Sequence, residues 1–230
     1  MRKDLGVRAG DVKYFDYNED GDISDADRMN VGKAIPDFYG GITSNFSYKG
    51  FDLSLFGQFS VGGKVMSAWR GVNGSEGTDH LGLALSNVKV NDRGESVEQY
   101  FNVSKEVANG YWRGEGTSNT IPRPVRIGAH TGYDYDYNVQ TSTRYLEDAS
   151  YFKLKTVTLG YTLPESVVKK LRMDSLRVYV SADNLLTLTK YSGYDPETSF
   201  SGSPGDSNYG VDFGLQPVLR TFIFGLNLNF

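Results

Sequence analysis

The protein has 230 residues, a net charge of −4 and no cysteine, so disulfides, thiolate zinc sites and cysteine nucleophiles are excluded. Glycine, tyrosine and phenylalanine are frequent (27, 16 and 13 residues) and proline is scarce (7), a balance that favours strands and turns over helices. Acidic and basic residues are interspersed, with no basic patch of the kind that binds nucleic acid. No apolar run approaches the length of a membrane helix, whereas the half-apolar strands of a membrane barrel remain compatible with this composition.

The first distinctive feature is an acidic segment, DYNEDGDISDAD, at residues 16–27. Its oxygen-bearing side chains fall at positions 1, 3, 5, 7, 9 and 12 of an EF-hand-like loop, and Gly21 falls at position 6. A hard dication takes six to eight oxygen ligands, and glycine permits the sharp turn that brings the chain around it. We predict a structural Ca²⁺ site whose ligands are the side chains of Asp16, Asn18, Asp20 and Asp27, the backbone carbonyl of Asp22, and Ser24 directly or through water.

Two observations limit this calcium prediction. Position 12 of the loop is Asp27 instead of glutamate, and its shorter side chain is expected to lower the affinity. No pair of amphipathic helices flanks the loop, which argues against a soluble calcium sensor. An acidic turn that binds no metal is the alternative interpretation.

Alternating strands begin after Pro36. Residues 38–48 and 51–60 flank a Lys49-Gly50 turn and predict a hairpin with one aromatic and apolar face. Residues 150–163, 175–188 and 219–230 predict three more strands, with a short helix from Glu165 to Leu171 after the first of them. The apolar residues of 150–163 change parity part-way along, which either a β-bulge or a change of surroundings would explain.

The last predicted strand has the clearest pattern. Phe222, Phe224, Leu226, Leu228 and Phe230 share one parity, whereas the other carries mainly small and polar residues. Alternate side chains of a strand lie on opposite faces of its sheet, so one face is wholly apolar. This arrangement suits a strand of a membrane barrel, with lipid on one side and the lumen on the other.

The connections between these strands alternate in length: 49–50 is short, 61–149 is long, 164–174 is short and 189–218 is long. Membrane barrels likewise alternate short periplasmic turns with long external loops. The sequence therefore predicts an all-β fold, made of antiparallel strands of a transmembrane β-barrel. Residues 1–37 are predicted to be an extracellular loop that contains the calcium loop, and residues 38–230 to be barrel strands with long extracellular loops at 61–149 and 189–218.

Five strands cannot close such a barrel, because the smallest have about eight, and an open sheet edge is not tolerated in lipid. The N-terminus also lacks the apolar core of a secretory signal. We therefore expect the chain to be the C-terminal piece of a larger barrel, or a truncated or split product.

Six motifs occur in order along nearly the whole chain and together resemble a known family. They are GDVKYFDYNEDGDISDADR (10–28), SYKGFDLSLFGQF (47–59), YWRGEGTSNTIPRP (111–124), YLEDASYFKLKTVTLGYTLPESVVKKL (145–171), LRVYVSADNLLTLTKYSGYDPE (176–197) and PVLRTFIFGLNLNF (217–230). In combination they look like the C-terminal part of SusC/RagA-type TonB-dependent outer-membrane transporters of Bacteroidetes.

This resemblance implies a cell outer-membrane location and a full barrel of about 22 strands with an N-terminal plug and a TonB box. It also implies a SusD-like surface lipoprotein partner and TonB-powered uptake of glycans or peptides. The acidic loop matches a loop of that family, which supports the calcium prediction. The sequence matches neither the plug nor the TonB box, so energised transport is expected to need parts outside these residues.

Functions other than transport fit the sequence less well. Trp69 and Trp112 are weak candidates for stacking on a substrate, because tryptophans also pack loops and form interfacial belts in barrels. No arrangement of residues indicates catalysis, so we do not expect an enzyme, and a secreted hydrolase fragment is the least supported reading. The main alternative is a soluble, calcium-stabilised β-sandwich that binds carbohydrate or mediates adhesion, although a sandwich favours regularly spaced short turns.

Overall fold

The computed structural model describes residues 8–68, 84–90, 93, 95–100, 105–127, 138, 141–197 and 209–230. No helix in these ranges is long and apolar enough to cross a membrane. The strands are β1 (Phe38–Tyr48), β2 (Phe51–Val61), β3 (Lys64–Ser67), β4 (Ala84–Val90), β5 (Ser96–Tyr100), β6 (Val125–Ile127), β7 (Leu146–Asp148), β8 (Tyr151–Thr162), β9 (Ser175–Thr189), β10 (Val211–Asp212) and β11 (Thr221–Asn229). The α-helices are α1 (Lys105–Gly110) and α2 (Glu165–Val168), and α2 continues as a 3₁₀ turn over Lys169–Leu171.

The five long strands form one antiparallel sheet in the order β1-β2-β8-β9-β11. They coincide with the five predicted strands to within two residues at each end. The predicted hairpin forms with Tyr48 opposite Phe51, and Lys49 and Gly50 both have positive φ (47° and 87°). Two positive φ values are typical of a type I′ turn, whose twist matches that of the flanking strands.

The chain divides into two compact units. One consists of Lys33–Val65, Glu147–Gly210 and Leu215–Phe230, and it contains the five-stranded sheet. The other consists of Met1–Gly32, Met66–Leu146 and Val211–Gly214. Its described parts include the acidic segment, α1 and a three-stranded sheet in the order β5-β4-β6.

The second unit has a small core of its own. Val107 of α1, Ile121 and Tyr145 are buried there, together with the polar side chain of Asn138. The sequence predicted no long strand between residues 61 and 149, and the strands found there are short. Such strands contain too few alternations to be recognised from their pattern.

Candidate functional site

One face of the five-stranded sheet is apolar across all of its strands. In a single row, Phe46 of β1 lies opposite Leu53 of β2, which lies opposite Leu159 of β8. The row continues to Val180 of β9 and Phe224 of β11. The following residues carry this apolar face: Phe38, Ile42, Phe46, Tyr48, Phe51, Leu53, Leu55, Phe59, Phe152, Leu154, Val157, Leu159, Tyr161, Val178, Val180, Ala182, Leu186, Leu188, Phe222, Phe224, Leu226 and Leu228.

The apolar face is largely exposed. Phe224 is 81% exposed, and Phe46, Phe51, Phe222 and Leu226 each expose more than half of their surface. A water-soluble monomer rarely exposes a continuous apolar patch larger than a few hundred Å², and larger patches mark protein or membrane contacts. We therefore expect this sheet face to contact another protein or a membrane.

Two bulges keep the apolar face continuous. The β2–β8 register shifts at Phe56/Gly57, and the β8–β9 register shifts at Leu154/Thr156. Asn184, in the bulged part of β9, adopts a left-handed conformation with φ of 53°. The extra residue in β8 returns Phe152 and Leu154 to the face that carries Leu159, so the change of parity in the sequence is a bulge and not a change of environment.

The opposite face, which we call the polar face, carries mainly polar and small residues, with Phe56 and Ile223 among the exceptions. Near the short turns, Arg177 of β9 donates to both carboxylate oxygens of Asp52 in β2, with Nε 2.9 Å from Oδ1. The pair passes over Gly160 of β8, where any Cβ would overlap the Arg177 guanidinium and the Asp52 carboxylate. Arg177 also lies 5.0 Å from the ring centre of Tyr179, and that ring covers Gly225 of β11.

Further hydrogen bonds link neighbouring strands across the polar face. The hydroxyl oxygens of Thr158 and Ser181 lie 2.8 Å apart, and Thr156 Oγ1 donates to Asp183 Oδ1 at 3.1 Å. The side chains of this face thus form cross-strand polar networks, which suit a hydrated channel wall and do not suit the dry interior of a sandwich.

The acidic segment closes a compact loop through its own carboxylates. Asp16 Oδ2 accepts the Gly21 N–H at 2.8 Å, and Asp20 Oδ1 accepts the Asp22 N–H at 2.8 Å. Asp27 Oδ1 accepts the Tyr17 N–H at 2.8 Å, and its Oδ2 accepts the Ser24 N–H at 2.7 Å. The positive φ of Gly21 (83°) provides the turn that the calcium-loop template requires.

Electrostatics within the loop favour ionised carboxylates. The Ser24 N–H, supported by that of Tyr17, holds the pKa of Asp27 below its ordinary value, because both bonds stabilise the charged form. Asp16 Oδ1 is buried and accepts no hydrogen bond among the described residues, which leaves an oxygen that a cation could satisfy. In the described part of the chain, however, no three His, Cys, Asp or Glu side chains are already gathered around a point suited to a metal ion.

Of the two tryptophan candidates for substrate contact, the structure describes only Trp112. Trp69 lies outside the described residues. Trp112 is partly buried, and one side of its ring covers Gly10, whose φ is 89° and where a Cβ would overlap the indole. This contact gives Trp112 a packing role, while its direct contact with a substrate remains a prediction.

A buried polar network beside Trp112 was not predicted from the sequence. Asp11 pairs with the guanidinium of Arg123, whose Nη2 donates to Asp11 Oδ2 at 3.2 Å, and it accepts from Asn138 Nδ2 at 2.9 Å. Asn138 Oδ1 in turn accepts the Val12 N–H at 2.8 Å. The network fixes the segment just before the acidic loop. Its members have common residue types, and Asp11 lies more than 100 positions from both Arg123 and Asn138, so no local pattern reveals them.

Comparison with known proteins identifies relatives over almost the entire chain, although no family model matches it. The chain is 33% identical over 225 residues to TonB-dependent receptor P3 of Formosa agariphila, covering 96% of this chain and 19% of that protein. It is 26% identical over 219 residues to TonB-dependent receptor SusC of Bacteroides thetaiotaomicron, covering 94% of this chain and 17% of SusC. The chain thus spans about a fifth of the length of these curated relatives.

Solved structures share the fold. The RagAB peptide transporter matches with a TM-score of 0.57 and 22% identity, covering 86% of this chain and 18% of the matched chain. RagAB in its 'closed-closed' state matches with a TM-score of 0.57 and 24% identity, covering 87% of this chain and 18% of the other. The predicted antiparallel strands of a transporter barrel are confirmed by this likeness. From the strand pattern, the sheet register and these relatives, we conclude that the chain is similar over almost its whole length to a segment, about a fifth of the protein, of TonB-dependent receptors that include SusC.

Proposed function

We propose that this chain forms part of the barrel wall of an outer-membrane importer, with its apolar face toward lipid and its polar face toward the lumen. The observation that carries the proposal is the apolar row that runs in register through all five long strands and leaves Phe46, Leu159 and Phe224 exposed. A soluble sandwich would cover such a face with a second sheet. The exposed face therefore favours the importer over the soluble calcium-stabilised sandwich.

The proposed importer works with a SusD-like surface lipoprotein, draws energy through TonB, and takes up glycans or peptides. The relationship to SusC and the structural likeness to the RagAB peptide transporter support this assignment. Growth on a glycan or on a peptide distinguishes the two substrate classes. An affinity tag on the receptor should recover a lipoprotein from detergent-solubilised outer membranes, and deleting the receptor should abolish growth on the imported oligomer.

The proposed location can be tested separately by fractionation. The receptor that contains this segment should sediment with outer membranes and should require detergent for release. Recovery as a stable monomer in the soluble fraction, without detergent, would overturn the importer and support the sandwich.

We also propose that residues 16–27 bind Ca²⁺ as a structural ion, through Asp16, Asn18, Asp20 and Asp27, the Asp22 carbonyl and Ser24. The buried, unbonded Asp16 Oδ1, the positive φ of Gly21 and the lowered pKa of Asp27 support this assignment. The carboxylates accept mainly from backbone amides, so binding of the ion would require them to turn toward a common point. Its role would be to order this loop.

Calcium should raise the melting temperature of the receptor, because a ligand that binds only the folded state stabilises it. Combining Asp16→Ala with Asp20→Ala should abolish this increase. Asp25→Asn is the matched control, since Asp25 is exposed, pairs with Arg28 and is not a predicted ligand. If chelation leaves the melting curve of the parent receptor unchanged, the calcium proposal fails.

A further inference from the structure

Buried charges near one end of β8 hold the segment that follows β9. Lys153 is 1% exposed and lies on the polar face, opposite Gln58 of β2. Its Nζ contacts Asp195 Oδ1 and lies 2.9 Å from Glu197 Oε2. Lys155, at the bulge of β8, contacts the same Glu197 oxygen. Two lysines thus meet two carboxylates, and the buried charge of Lys153 is fully paired.

Hydrogen bonds fix the rest of this segment, residues 190–197, which we name the strap. Ser192 donates from its N–H and its Oγ to the two carboxylate oxygens of Glu147, at 2.8 and 2.7 Å. The N–H of Tyr191 donates to Thr189 Oγ1 at 3.0 Å, and the Tyr191 side chain is buried. The strap is therefore attached near its start, through Ser192, and at its end, through Asp195 and Glu197.

The end of the strap is also ordered internally. Asp195 Oδ1 accepts the Glu197 N–H at 2.9 Å, while Gln58 Nε2 lies 3.4 Å from Glu197 Oε1. The same carboxylate that holds Lys153 therefore shapes the turn that presents Glu197. Because these contacts depend on one another, loss of the lysine should loosen the whole end of the strap.

We propose that the strap is a fixed part of the polar face, locked in place by the charge pairs of Lys153, and not a mobile loop. Removing one partner of a buried ion pair leaves the other charge uncompensated, which is strongly destabilising. The lock itself follows from contacts within one compact unit. If the polar face lines the lumen of an importer, as proposed above, the strap is part of that lining, and this point alone rests on the proposed function.

Hydrogen–deuterium exchange of the detergent-purified receptor tests whether the charge pairs of Lys153 hold the strap in place. The peptide covering residues 190–197 should exchange slowly in the parent and at least about tenfold faster after Lys153→Gln, because local opening controls the exchange of protected amides. Lys169→Gln is the control. It removes a lysine from an exposed pair with Glu165, and it should leave exchange of the strap unchanged.

A second variant tests the proposal if Lys153→Gln fails to fold. Combining Asp195→Asn with Glu197→Gln removes both partners of Lys153 and should also accelerate exchange, whereas either change alone should have a smaller effect. Parent-like exchange of the strap in this double variant would overturn the proposal. The readout does not involve uptake, so failure of the lock can be distinguished from failure of the proposed transport function.

Discussion

Glu197 illustrates how a single carboxylate can link a loop to a sheet. Burial alone would raise the pKa of Glu197, but hydrogen bonds from Lys155 and Lys153 outweigh burial and lower this pKa below its ordinary value. The other titratable groups facing this carboxylate are Asp195 and Tyr151. The ionised form of Glu197 is therefore favoured in the folded protein.

This lowered pKa sets the pH dependence of the strap. A carboxylate whose pKa is depressed by folding adds stability above its unfolded pKa, and this stability is lost as pH falls through the folded value. The protection factor of the strap amides should thus be unchanged between pH 7 and about pH 5 and should fall below about pH 4. Glu197→Gln has no titrating carboxylate at this position, so its strap amides should lose less protection at low pH than those of the parent. Loss of protection in the parent between pH 7 and pH 5 would contradict this assignment.

The positions of individual side chains could be predicted from the sequence only where a local pattern indicated them. Alternation alone places Phe224 and Leu226 on one face and Asn227 on the other, as observed. The pairing of Lys153 with Asp195 joins residues 42 positions apart across a bulge, and no periodicity signals it. The predicted calcium ligands form the expected turn, while their binding of a metal remains a prediction.

At the scale of strands, close packing on the polar face depends on glycine. Gly225 of β11 lies opposite Tyr179 of β9, and the tyrosine ring lies where a Cβ of Gly225 would be. Aromatic side chains that cover glycines on a neighbouring strand fix register and recover packing that glycine lacks. This contact therefore helps to hold β9 and β11 in register.

Gly225→Val should lower the free energy of unfolding by about 1–3 kcal/mol, the usual cost of overpacking. The measurement is urea unfolding of the receptor in liposomes. Adding Tyr179→Ala should recover part of the loss, because it removes the obstructing ring. Asn227→Val, on the same strand and parity, controls for the β-branched side chain. Equal losses in Gly225→Val and Asn227→Val would show that the ring contact is not responsible.

Strands were predictable where they were long enough to repeat their pattern. The apparent change of parity between Leu154 and Val157 was compatible with a bulge or with a change of surroundings, and the register shift at Leu154/Thr156 identifies it as a bulge. The short strands β3 to β7 were not identified, because three to seven residues give too little alternation. Their positions depend on contacts with distant segments, which the local sequence does not encode.

At the scale of the molecule, the described residues expose many large apolar side chains and bury few. The described residues bury only a few large apolar side chains in the two units, whereas the five-stranded sheet exposes phenylalanine and leucine on nearly every strand. The exposed face suits hydrocarbon, and the hydrogen-bonded polar face suits water. The fold class was predictable from the two-faced strand pattern, and the resemblance to TonB-dependent transporters from six motifs that occur in order along the chain.

The orientation of the two faces is most directly tested with spin labels in native outer membranes. The chain has no cysteine, so Phe224→Cys and Asn227→Cys each provide one labelling site in this segment. A label at position 224 should collide mainly with oxygen, which partitions into lipid, and a label at position 227 mainly with a water-soluble nickel chelate. If the label at position 224 is as accessible to the chelate as the label at position 227, the apolar face does not contact lipid and the account is wrong.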